Sequence, residues 1–169
     1  MKRILVTGAA GYIGSVLVPE LLAAGNEVVA LDNFMYHQSS LLDCAHDAKL
    51  SIVRGDVRNK ALMKKLAGGA DFIIPLAALV GAPLCDHEPL AAQTTNLDAV
   101  KLILQIRGPE QKIIFPTTNS GYGVGEEGIH CDETTPLRPL SHYGRLKVEA
   151  ERLVLQAGNT ISLRLATVF

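Results

Sequence analysis

The chain has 169 residues, 48% of them hydrophobic, and its 16 basic and 17 acidic residues leave a net charge of −1. That apolar share excludes a disordered chain, and the length suits one domain that buries roughly 70% of its unfolded surface. The balanced charge argues against nucleic acid and anionic membrane as partners, and no apolar run approaches the ~20 residues of a membrane span.

In chain order, the apolar run at 2–7 predicts a first strand, and 12–24 a helix closed by Gly25-Asn26. A second strand is expected over 27–32. The stretch 33–49 is ambiguous, with a helix considered over 38–45. A third strand follows at 50–54, then the turn Gly55-Asp56-Val57 and a short helix at 60–66. Strand four is expected at 72–75. A long helix is read over 89–106 from the apolar positions Leu97, Val100, Ile103 and Leu104. Strand five is expected at 112–116, a glycine-rich loop from 119 to about 139, a helix at 143–157 ended by Gly158, and strand six at 162–166.

Apolar runs alternating with amphipathic helices predict an α/β, doubly wound parallel sheet, a Rossmann fold with strand order 3-2-1-4-5-6. The carboxyl ends of the strands then line one crevice. It takes residues 8–14, Asp32, Asp56-Val57, Ala77-Ala78, 117–120 and Thr167-Val168. The three cysteines, Cys44, Cys85 and Cys131, form no Cys-x-x-Cys pair, and the five histidines are scattered. Neither a disulfide framework nor a metal site is expected. His142 is read as an exposed loop residue.

Residues 6–14 read Val-Thr-Gly-Ala-Ala-Gly-Tyr-Ile-Gly, three glycines spaced Gly-x-x-Gly-x-x-Gly between a strand and a helix. Gly8 allows the sharp turn, Gly11 lets a pyrophosphate approach the backbone, and Gly14 permits close helix packing. The helix start offers free N–H groups to phosphate. Asp32 ends strand two, 18 residues after Gly14, where a carboxylate grips ribose hydroxyls and repels a 2′-phosphate. The expected cofactor is NAD rather than NADP.

Tyr143 and Lys147 stand at i and i+4, on one helix face. A nearby ammonium favours phenolate, so the pair reads as a tuned base.

With these motifs in order, the chain resembles the extended short-chain dehydrogenase/reductase family, the NAD-dependent sugar-nucleotide epimerases and dehydratases. The resemblance covers essentially the whole chain. It implies cofactor contacts from Gly8, Ala10, Gly11, Tyr12, Ile13, Gly14, Asp32 and Asn33. It adds Asp56 at the adenine amine, Val57 at the ring, and Leu76, Ala77, Ala78, Thr117, Tyr143 and Lys147. Asn96 matches an asparagine that braces the family's active site. Thr118, four residues before Tyr122-Gly123, becomes the hydroxyl that holds the substrate; Ser120 and Thr117 are the alternatives. The implied catalytic set is Thr118, Tyr143 and Lys147, with Val80, Asn119, Ser120 and Thr167 on the substrate side.

Two departures bear on the reaction. Asn119-Ser120 replaces the acidic pair expected of a 4,6-dehydratase, and Pro75 stands where the family usually has His. The resemblance therefore implies a nucleotide-sugar epimerase working through a transient 4-keto sugar. The alternatives are a keto-sugar or carbonyl reductase, a dehydratase, and a non-catalytic NAD-sensing scaffold. It further implies a homodimer through the helices 89–106 and 143–157. Because the chain reaches Phe169 just after strand six, residues 1–169 are expected to be an incomplete NAD-binding domain with its substrate domain beyond. A core strand starting within three residues of the N-terminus leaves no room for a secretion signal, so a cytoplasmic location is expected.

Overall fold

The computed structural model describes residues 1–124, 130–166 and 168. Six parallel strands form one sheet: β1 (Arg3–Thr7), β2 (Glu27–Asp32), β3 (Leu50–Arg54), β4 (Phe72–Pro75), β5 (Lys112–Thr118) and β6 (Thr160–Leu165). Their order is β3-β2-β1-β4-β5-β6, as the alternation predicts. Helices α1 (Tyr12–Ala23), α2 (Lys60–Ala67), α3 (Ala82–His87), α4 (Pro89–Gln93), α5 (Ala99–Ile106) and α6 (His142–Gln156) cover the two faces.

The core divides by strand alternation. Ile4, Val6, Val28, Ala30 and Ile74 point to Val18 and Leu22 of α1. Leu5, Val29, Leu31, Ile73, Ile113 and Phe115 point to the other face, against Met63 of α2, Ile103 of α5, and Leu146 and Ala150 of α6. Burial on both faces is why the inner strands read as continuous apolar runs.

Several boundaries differ from expectation. The helix considered over 38–45 shrinks to one 3-10 turn at Leu42–Cys44. Phe34 and His37 take φ of 55° and 52°, and Leu41 tucks into the core, so the segment folds back rather than coiling. The helix expected over 89–106 is part of a longer, broken run. It starts with α3, breaks at Glu88 (φ −119°, ψ 60°), and contains a π turn at Thr94–Asp98 between α4 and α5. The residue before Pro89 cannot easily stay helical, which places the break. Strand β5 runs two residues past the expected end, because β6 pairs with it as far as Thr118–Leu165. Its Pro116 is tolerated there: β4 pairs with β5 only at Phe72–Lys112 and Ile73–Ile113, so nothing on that side needs the missing N–H. Pro75 ends β4 opposite Thr7 of β1, beyond the last pair with β5.

Candidate functional site

The carboxyl ends of the strands open on a cavity of about 1100 Å³ that runs from Asp32 and Asn33, past the glycine turn, to Thr118, Tyr143 and Lys147. Its floor is the turn between β1 and α1. Gly8 has φ +67°, and a Cβ there would lie 2.6 Å from the Ala77 nitrogen. A Cβ on Gly14 would strike the Ala9 carbonyl. On Gly11 it would meet only the Gly8 carbonyl, at 3.1 Å, so that backbone stays approachable. The open Gly11 surface and the helix start together fit a pyrophosphate.

Asp32 is buried, and both its oxygens are engaged. One accepts the Ala10 N–H at 2.9 Å, the other the Phe34 N–H at 2.8 Å. Ser40 donates to the Ala10 carbonyl at 2.7 Å. The Ala10 peptide is thus clamped by two side chains from the β2–β3 segment. Ala10 itself does not line the cavity, although the resemblance places it among the contacts. Asp56 lines it, but its carboxylate already holds the Arg58 guanidinium in a forked pair that keeps its pKa below the usual carboxylate value.

At the other end, the Ser141 hydroxyl caps α6 by accepting the Gly144 N–H at 3.0 Å, and the helix presents Tyr143 and Lys147 one turn apart. The Lys147 amine donates to the Pro116 carbonyl at 2.9 Å and sits 4.3 Å over the Phe115 ring. Burial pushes Lys147 down from 10.5 to about 8, with the Glu151 charge opposing. The Tyr143 phenol is pushed up, chiefly by burial. This corrects the expectation from helical spacing. In the chain alone, Lys147 answers to β5, and the phenol is raised rather than lowered. The Thr118 hydroxyl itself donates to Ser120 Oγ at 3.1 Å.

Asn96, in the π turn, bonds both backbone polar atoms of Leu79, donating to its carbonyl and accepting its N–H, each at 2.8 Å. This fixes the segment after β4, where Leu76, Ala77, Ala78 and Val80 line the cavity. The expected crevice therefore gathers Gly8, Gly11, Tyr12, Ile13, Gly14, Asp32, Asn33, Asp56, Val57, Thr117, Ser120 and Val168 as well. Asn119 does not join it and borders a second cavity beside β6. Thr167 lies outside the described residues, as do residues 125–129 of the long loop. His142 is not an exposed loop residue: it opens α6, half-buried, and among the described residues its Nε2 has no hydrogen-bond partner. Unforeseen lining comes from Arg58, and from Leu84, Glu88 and Thr95 on the α3–α5 run. Pro83 and Pro89, each in the first two positions of a helix, were the available sign of α3 and α4.

Among the described residues no group of acids, histidines and cysteines is placed to hold a metal, and no helix is long and apolar enough to cross a membrane. A model of the NAD dependent epimerase/dehydratase family matches residues 4–169. A UDP-glucose 4-epimerase of Streptomyces lividans is 31% identical over 157 residues, covering 90% of this chain and 46% of that protein. A UDP-N-acetyl-alpha-D-glucosaminuronate decarboxylase of Bacillus cytotoxicus is 34% identical over 134 residues, covering 78% and 41%. The chain spans about half the length of the curated relatives it matches. Among solved structures, a UDP-glucuronic acid 4-epimerase from Bacillus cereus in complex with NAD superposes with a TM-score of 0.88 at 28% identity, over 99% of this chain and 57% of that one.

Proposed function

The chain belongs to the NAD dependent epimerase/dehydratase family, and from that premise we propose that it is the cofactor-binding part of a nucleotide-sugar 4-epimerase. The observation that carries the proposal is a shared cavity: the glycine turn and Asp32 line one end, and Thr118, Tyr143 and Lys147 line the other. Gly11 and the start of α1 would hold the pyrophosphate of NAD, and the Asp32 carboxylate would disfavour a 2′-phosphate. NAD, when bound, supplies the hydride acceptor and returns the hydride.

The chain's own groups handle the proton. Thr118 would bond the sugar hydroxyl, Tyr143 as phenolate would take its proton, and the Lys147 charge would favour that phenolate. Burial raises the phenol, so this reading relies on the Lys147 charge to favour its ionised form. Asn119 and Ser120, which follow Thr118, cannot move a proton as a carboxyl does, so inversion rather than water loss is the proposed outcome.

Tyr143→Phe tests this. Turnover of UDP-sugars, assayed with the full-length protein, is expected to drop roughly 10³-fold while NAD still binds. Unchanged turnover overturns the reading. Sugar inversion without net reduction of NAD separates an epimerase from a reductase.

A further inference from the structure

Tyr143, Lys147 and Glu151 occupy successive turns on one face of α6. Lys147 and Glu151 are 6% and 4% exposed. Among the described residues Lys147 forms no ion pair, and its amine is held by the Pro116 carbonyl alone. Glu151, by contrast, is fixed from β6. Its Oε1 accepts the Ser162 hydroxyl at 2.8 Å and the Arg164 Nε at 3.0 Å. Arg164 is in turn anchored by the Tyr122 hydroxyl at 3.2 Å and the Glu133 carbonyl at 3.3 Å, with its guanidinium 5.4 Å over the Tyr122 ring.

We propose that Glu151 is a positioning residue: pinned by Ser162 and Arg164, its carboxylate keeps the Lys147 amine charged from one helical turn away. The idea rests on reading Lys147 as part of the site. The other titratable or charged groups on this face are Tyr143 of α6, Cys85 of α3, which acts on Tyr143, and Arg164 of β6. Strand β5 presents Phe115, Pro116 and Thr117, none of which titrates. A buried ammonium loses its water and needs a compensating charge. The Glu151 charge is the one that raises Lys147 against burial.

The test titrates Lys147 directly by NMR of the full chain carrying 13Cε-lysine, with the resonance assigned by its loss in Lys147→Arg. Wild type is expected to titrate near 8. Glu151→Gln removes the compensating carboxylate and moves the titration down by about one pH unit. Arg164→Met leaves Glu151 unneutralised and moves it up. Glu151→Asp keeps the charge and stays near wild type, which guards against a Gln variant that fails to fold. Opposite shifts from the two halves of one ion pair are the expected result; shifts in the same direction, or none, overturn the proposal. The measurement needs no turnover. A chain that is inactive on every sugar but shows opposed shifts sinks the epimerase reading and leaves this one standing.

Discussion

At the glycine-turn end of the cavity, polar groups are tied by protein partners: Asp32 to Ala10 and Phe34, Ser40 to Ala10, and Thr7 to the Ala77 N–H at 3.4 Å. At the tyrosine end, the Thr117 hydroxyl is buried without a partner among the described residues, and burial pushes the Lys147 pKa down. One end is finished before any ligand arrives; the other holds groups that only a ligand or a reaction can use. Cofactor binding needs a rigid backbone cradle, whereas proton transfer needs groups kept out of their resting preference.

Gly14→Ala should produce the largest effect, because the new methyl meets the Ala9 backbone, which has nowhere to go. A loss of more than about 3 kcal/mol is expected by urea unfolding, with NAD binding abolished. Wild-type stability in that variant would mean that the cradle is soft and would break the contrast.

Lys147→Met sharpens it from the opposite side. The folded pKa of about 8 lies below the ordinary 10.5, so the unfolded chain binds the proton more tightly. The penalty is full below pH 8 and fades as pH rises toward 10.5. The Met variant should be more stable than wild type at pH 7, by at most about 3 kcal/mol. The gap should narrow by pH 10 as wild type gains. A gap constant with pH would show that Lys147 carries no such penalty.

Thr117→Val gives the smallest effect. Removing an unpaired buried hydroxyl should stabilise the fold by about 1 kcal/mol in thermal unfolding. Destabilisation would show that the hydroxyl has a partner and that the two ends are less different.

The same division governs what could be read from sequence. The strand order and the glycine turn were legible, because burial on both faces leaves unbroken runs such as Ile4-Leu5-Val6, and because Gly8 and Gly14 are required by backbone collisions. The tyrosine end was legible as residue types but not as energetics. Helical spacing puts Tyr143 and Lys147 on one face, yet it says nothing of the Pro116 carbonyl and Phe115 ring that claim the amine. Helix α3 escaped because it buries a single residue, Cys85. The π turn escaped because a slipped hydrogen-bond register leaves no periodicity to find. His142 was misplaced for want of weight on Ser141, whose cap moves the helix start to include it.

Asn96 grips the Leu79 backbone at both its N–H and its carbonyl, and Leu79 lines the same cavity as Tyr143. The wall is hung from the helical layer rather than carried on β4. Residues 94–98 and the segment after β4 are thereby tied together through one side-chain amide.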